Sequence, residues 1–219
     1  LNRMGDAAGT EGRTVLYVSH NMNTIRQLCT RCIVLDQGRI IFDGNVEDAI
    51  AIYMQHEIRD MSSDIDLSNM KRFTNSGELW MRRVLISNPA GAIIKQKEKL
   101  QFRLYVSSKI SDSDLRLRCM VYYADGTSVA MTTTKANAMT LATGENIYDC
   151  TLDTAHLAPG TYHIKLALYH SNELGGEKLF DVIEHAIHFS VEDTHAANNM
   201  AWNHTMWGHV SLDDIEIRQ

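Results

Sequence analysis

Two hydrophobic periods divide the chain. Up to about residue 56, apolar residues fall in short runs or at helical spacing. Val15-Leu-Tyr-Val18 predicts a short buried strand ending in a polar elbow, Ser19-His20-Asn21. Ile25, Leu28, Cys29 and Cys32 follow at i, i+3, i+4 and i+7, which predicts a helix starting near residues 21–23 with asparagine as its cap. Cys32-Ile-Val-Leu-Asp36 and Arg39-Ile-Ile-Phe-Asp43 read as a strand and its return, joined by a turn in which Gly38 takes positive φ. Asn45 caps a second helix, with Asp48 three residues on in the capping-box position. Its apolar stripe is Val46, Ala49, Ile50, Tyr53 and Met54. The order β-α-β-β-α is the end of an α/β domain, too short for a complete doubly wound sheet.

Residues 57–77 are polar and weakly patterned, which predicts a linker. From residue 78 to 219 the period is two. Leu100-Gln-Phe-Arg-Leu-Tyr-Val106, Leu115-Arg-Leu-Arg-Cys-Met-Val-Tyr-Tyr123 and Tyr162-His-Ile-Lys-Leu-Ala-Leu-Tyr169 alternate cleanly, with turns at Asp125-Gly126 and Pro159-Gly160. Weaker strands are expected at 78–87, 129–134, 147–152, 186–191 and 210–217. About eight strands with almost no helical pattern predict an antiparallel β-sandwich, so the fold is mainly β.

Alternation also sorts the faces. Leu100, Phe102, Leu104, Val106, Leu115, Leu117, Cys119, Val121, Tyr162, Ile164, Leu166 and Leu168 face the core. The opposite positions carry Arg103, Tyr105, Arg116, Arg118, Tyr122, His163, Lys165 and Tyr169. Sugars stack C–H groups on aromatic rings and share hydroxyl hydrogen bonds with planar polar side chains, so a tyrosine face among cations suits a carbohydrate. The same tyrosines also suit cross-strand pairs that only stabilise a sheet.

Composition narrows the chemistry. Of 219 residues, 44% are hydrophobic and 22% charged, as in ordinary globular proteins. A net charge of −6 argues against a broad nucleic-acid surface. No apolar run approaches the roughly 20 residues that span a bilayer. Cys29 and Cys32 form a C-x-x-C without a second pair at zinc spacing, and they read as small buried residues in a reducing setting. His185 and His188, three apart in a predicted strand, are expected on opposite faces, and His195, His204 and His209 fall in loop-like sequence. No metal site is expected. Ser19-His20 is too close for a hydrolase dyad, and Asp213, Asp214 and Glu216 have no paired base or nucleophile, so no independent catalytic site is expected. The chain opens on Leu1 and reads as cut from something longer.

Thr14-Val-Leu-Tyr-Val-Ser-His-Asn-Met22 and Cys32-Ile-Val-Leu-Asp-Gln-Gly-Arg-Ile-Ile-Phe-Asp-Gly44 resemble the last segment of an ABC-transporter ATPase domain. Residues 1–56 are then a fragment of that domain, and His20 matches its switch histidine, the H-loop. Ser-His-Asn-Met and Asn45-Val-Glu-Asp-Ala-Ile-Ala-Ile-Tyr-Met54 are most similar to the polysaccharide-export branch. A histidine at a strand end can sense a γ-phosphate and orient the attacking water. The sequence holds no G-x-x-x-x-G-K-[ST] loop, no Leu-Ser-Gly-Gly run and no apolar strand ending in Asp-Glu before His20. ATP and Mg are therefore expected in an intact parent, whose other parts would lie upstream of Leu1, and no cofactor is expected for this piece.

With the Trp-rich stretch Trp202-Asn-His-Thr-Met-Trp-Gly208 before a last strand, the sandwich at 78–219 looks like the carbohydrate-binding domain of Wzt-type O-antigen exporters. That resemblance implies an immunoglobulin-like topology, recognition of the terminal end of a glycan, a transmembrane permease partner, a homodimer formed by exchange of the last strand, and a cytoplasmic location at the inner face of the membrane. Ala196 to Gly208 reads as a hinge for that strand or as a pocket rim. Tyr105, Tyr122, Tyr169, Arg103, Arg116, Arg118 and His163 are the candidate glycan contacts. The alternatives are a sandwich that only dimerises the exporter ATPase, or an exporter of another glycopolymer such as teichoic acid.

Overall fold

A computed structural model describes residues 14–19, 22–36, 38–59, 61–172, 174–193 and 202–213, with Ile215 and Ile217. The chain divides into two compact units, Leu1–Asp60 with Ala124–Thr127, and Met61–Tyr123 with Ser128–Gln219.

In the first unit, α1 (Met22–Leu28) is followed by the hairpin β1 (Cys32–Asp36) and β2 (Arg39–Gly44), then α2 (Val46–Arg59). Gly38 takes φ +79° in the hairpin turn. The Asp48 amide donates to Asn45 Oδ1 at 2.9 Å, closing the start of α2. Met22, Ile25 and Ile50 form a small core with Tyr17, Cys29, Cys32, Val46 and Tyr53 packed on it. The predicted helix stops at Leu28, and Cys32 begins β1 instead of continuing the helical stripe. Val15, Leu16 and Val18 form no strand and are exposed. An apolar run becomes a strand only where a neighbour completes its hydrogen bonds, and β1 and β2 pair with each other. His20 and the side chain of Met54 lie outside the described residues.

The second unit is an eleven-stranded sandwich among the described residues. Its strands are β3 (Asp64–Asp66), β4 (Arg72–Asn75), β5 (Leu79–Ile86), β6 (Ile93–Lys95), β7 (Leu100–Ser108), β8 (Asp112–Tyr123), β9 (Ser128–Thr133), β10 (Met139–Leu141), β11 (Gly144–Leu152), β12 (Gly160–Ser171) and β13 (Glu177–Glu192). One sheet runs β10-β8-β12-β13-β4, with β9 also on β8 and β6 also on β13; the other runs β11-β7-β5-β3. Pairing is antiparallel except for β6 on β13. The expected linker at 57–77 thus contributes β3 and β4 to the sandwich. Three- and four-residue strands among Ser, Asp and Asn carry too few apolar positions to show a period.

The inner faces are the predicted ones. Leu100, Leu104, Val106, Leu115, Tyr162, Ile164, Leu166 and Leu168 are wholly buried, joined by Leu79, Met81, Val84, Ile183, Ile187 and Phe189. The Tyr162 hydroxyl donates to Ala158 O at 2.6 Å, the corner that fixes a strand start in immunoglobulin-like sandwiches. Burial pushes its phenol well above the ordinary tyrosine range. All four cysteines are free. Burial raises the Cys119 thiol to about 12 and Cys150 to about 11.

One charge sits inside. Asp181, on β13, has no exposure. It accepts from Arg72 Nε at 3.0 Å, Asn75 Nδ2 at 2.8 Å and the Met81 amide at 2.8 Å. Arg72 also donates to Met81 O at 2.9 Å. The network ties β4 and β13 of one sheet to β5 of the other, and a buried carboxylate is tolerated only with this degree of pairing.

Candidate binding surface

The alternation that fills the core leaves two outer faces, and they differ. The candidate residues are split between them. Arg103 and Tyr105 lie on β7, on the outer face of the β11-β7-β5-β3 sheet. Arg116, Arg118 and Tyr122 on β8, with His163, Lys165 and Tyr169 on β12, share the outer face of the other sheet.

The β8–β12 face is closed on itself. Tyr169 is 2% exposed and His163 5%. Arg118 lies 4.3 Å from the Tyr169 ring centre while bonding Glu177, and Thr133 Oγ1 meets the Tyr169 hydroxyl at 2.6 Å. Arg116 binds Asp114 at 2.7 Å, and Lys165 binds Glu184 at 3.0 Å while lying over Phe73. His163 is stacked between Tyr122, at 5.3 Å, and His185, at 4.1 Å, with His188 at 5.9 Å. A buried ring has no face left for a ligand, so Tyr169 and His163 serve packing here. His185 and His188, expected on opposite faces, share this one. The β12–β13 register shifts between Ile164 and Leu166, and His185 takes φ +53°. A bulge of this kind changes which side a residue faces. His185 stacks on His163 at 4.1 Å and on His188 at 5.8 Å. Among the described residues no group of three or more His, Cys, Asp or Glu could hold a metal ion.

The β5–β7–β11 face is open. Its centre is built by a bulge in β5, where the register shifts between Met81 and Arg83. Met81 and Val84 both point into the core, so Arg82 and Arg83 emerge together on the outside. Arg83 lies 5.4 Å from the Tyr105 ring centre and is held by Asp64 through Nε at 2.6 Å. Arg82 lies 5.6 Å from the Trp80 ring centre and donates to Ser107 Oγ at 3.1 Å. Lys109 approaches the same indole to 4.7 Å. Arg103 pairs with Asp149 at 2.7 Å. These pairs hold the Asp64 and Asp149 carboxyls below the usual range, chiefly by the arginine hydrogen bonds. Trp80, Arg82, Arg83 and Lys109 escaped the sequence reading. The available signal was Met81-Arg-Arg-Val84, where two charges between two core residues break a period of two.

After β13, residues 194–201, including His195, lie outside the description, as do Asp214 and Glu216. Asn203 caps α3 (His204–Trp207). His204 Nε2–H donates to Pro159 O at 2.6 Å, and its Nδ1 shares a hydrogen bond with His209 Nδ1 at 2.8 Å. Both imidazoles pack on Tyr123. Gly160 is required beneath them, since a Cβ there would stand 2.7 Å from His204 Nε2. Among the described residues of the expected last strand at 210–217, a single bridge joins Val210 to Leu157. Val210, Leu212, Ile215 and Ile217 are exposed, and no strand ladder covers them in the described chain.

Comparisons with known proteins agree on the sandwich. The crystal structure of the C-terminal domain of wzt superposes with a TM-score of 0.56 at 14% identity, covering 69% of this chain and 90% of that one, which establishes a common fold. The methionine import ATP-binding protein MetN of Cupriavidus pinatubonensis is 38% identical over 55 residues, and MetN 1 of Burkholderia ambifaria 38% over 47. These matches cover 25% and 22% of this chain, and the chain spans 16% and 13% of those proteins. The Wzt C-terminal domain family model matches residues 75–205, more than half of the molecule and the sandwich from β5 to β13, and the chain belongs to that family.

Proposed function

We propose that this chain is the C-terminal part of the ATP-binding subunit of an ABC exporter for a polysaccharide such as an O-antigen, and that its sandwich binds the terminal end of the glycan. Membership of the sandwich in the Wzt C-terminal domain family carries the reading. The likeness to ATP-binding subunits over 55 residues supports the transporter half. In the intact subunit His20 would act as the switch histidine toward ATP and Mg. The chain itself has no phosphate-cradling loop, so no step of nucleotide chemistry is assigned to it. Its partners would be the membrane-embedded permease and a second copy of itself, at the cytoplasmic face of the membrane. No helix among the described residues is long and apolar enough to cross a membrane.

The test is calorimetric titration of the full chain with purified polysaccharides that differ in their terminal residue. Saturable binding that depends on the terminus is expected, and no heat with any of them overturns glycan recognition. A teichoic acid in the panel separates the two glycopolymer classes.

The exposed Val210, Leu212, Ile215 and Ile217 favour a second reading, a sandwich that joins two subunits and touches no sugar. Truncation after His209 separates the readings. Loss of the dimer by light scattering with glycan binding intact overturns the second reading, and loss of the dimer in a chain that binds no polysaccharide before or after truncation supports it.

A further inference from the structure

Trp80 carries two cations on one ring. Arg82 lies 5.6 Å from its centre and Lys109 4.7 Å. Almost every other arginine on the sandwich has a carboxylate against it: Arg72 has Asp181, Arg83 has Asp64, Arg103 has Asp149, Arg116 has Asp114 and Arg118 has Glu177. Arg82 and Lys109 have none within the 4.0 Å of an ion pair among the described residues. Asp66 is the acid that feels Arg82, and its Oδ1 already accepts from the Ser68 amide at 2.8 Å. Arg82 is held in place on the other side by Ser107, which donates to Glu145 at 2.6 Å.

Alternation along β5 places Arg82 on the outer face beside Trp80, and the bulge that follows adds Arg83 to the same face. Two like charges over one indole repel each other, and each desolvates the other in part. An anionic group between them relieves that repulsion and accepts their hydrogen bonds, while the half-buried indole supplies a flat apolar surface beside it. A ligand matching both is a sugar ring with a carboxylate or phosphate on it. A neutral sugar matches only the indole.

We propose that Trp80, Arg82 and Lys109 form a subsite for an anionic sugar residue of the glycan. The assignment rests on the sandwich being a glycan-binding domain and adds where the glycan sits and what charge it carries. Tyr105, Arg83 and Ile147, in the next row of the same face, continue the surface along the chain of sugars.

The test uses the full chain with tetragalacturonate, glucose 1-phosphate and neutral tetragalactose as probes. Binding is followed through the Trp80 indole N–H in nitrogen–proton spectra, assigned with Trp80→Phe. At least one anionic probe is expected to shift that signal and to bind about tenfold or more tightly than tetragalactose. The double variant Arg82→Gln/Lys109→Gln, whose changes are at exposed positions and leave the core intact, is expected to lose about tenfold or more of that affinity. Added salt should weaken the parent and not the double variant. Equal affinity for charged and neutral probes overturns the proposal, as does an unchanged affinity in the double variant. Binding of a cognate polysaccharide with shifts confined to other faces overturns this subsite and leaves glycan recognition standing. Absence of binding to every polysaccharide and probe overturns both.

Discussion

The two outer faces of the sandwich are written in the same alphabet and end in opposite conditions. Each alternates with a buried row, and each carries tyrosine, arginine and carboxylate. On the β8–β12 face the side chains consume one another. Arg118 covers Tyr169, Tyr122 and His185 cover His163, and the result is a third packed layer. On the β5–β7–β11 face the aromatic rings stay half-exposed and the cations lie over them from the side of solvent. Composition of a face therefore does not decide whether it binds. Long strands with partners on both sides can cover their own aromatics; a four-strand sheet with a bulge at its centre leaves them available.

The comparison can be broken at the level both faces share. Asp181→Ala leaves the Arg72 guanidinium and the Met81 amide without their partner in the core and is expected to cost about 3–5 kcal/mol in urea unfolding. Both faces would be lost together, because the network joins the sheets. If the two sheets unfolded separately, the coupling described here would be wrong.

The next test works within the closed face. Tyr169→Ala removes a buried ring and is expected to cost about 3 kcal/mol without touching ligand affinity. Tyr169→Phe, which loses only the contact with Thr133, should cost about 1 kcal/mol. The open face should answer the other way. Tyr105→Ala is expected to change stability by less than about 1 kcal/mol and to show its effect in glycan titration. Equal losses of stability at Tyr169 and Tyr105 would erase the distinction.

The smallest effect is electrostatic. Asp149 beside Arg103 and Glu177 beside Arg118 both have carboxyls held below their ordinary range by the arginine hydrogen bond. A carboxyl lowered on folding adds stability that is complete above its unfolded value, about 4, and is lost as pH falls through the folded one. Acid unfolding of the Arg103→Gln and Arg118→Gln variants should accordingly be shallower than that of the parent below about pH 4. Salt should mask the Arg103 pair more, since its arginine side chain is 43% exposed against 21% for Arg118.

Strands with uninterrupted alternation were legible from the residues. Leu100–Val106, Leu115–Tyr123 and Tyr162–Tyr169 became β7, β8 and β12, inner row included. Three things were hidden, each for a different reason. β3 and β4 are too short to express a period. The run Val15–Val18 has strand composition, but pairing is decided by a neighbour and not by the run itself. The bulges at Arg82 and near His185 are irregularities of register; the first leaves only the doubled charge between Met81 and Val84 as its sign, and no glycine marks the second. Alternation separates inside from outside but does not say which sheet a strand joins, so the candidate residues fall on both faces.

The β5 bulge also governs how this strand can change over generations. Elsewhere in β5, losing one residue turns every following side chain to the wrong side of the sheet. Between Met81 and Val84 there is one residue more than the alternation needs. Loss of Arg82 or Arg83 restores a regular inside–outside rhythm, with Leu79, Met81, Val84 and Ile86 still facing inward. At this position β5 can lose or regain one arginine and change the charge of its outer face without giving up the hydrophobic interior.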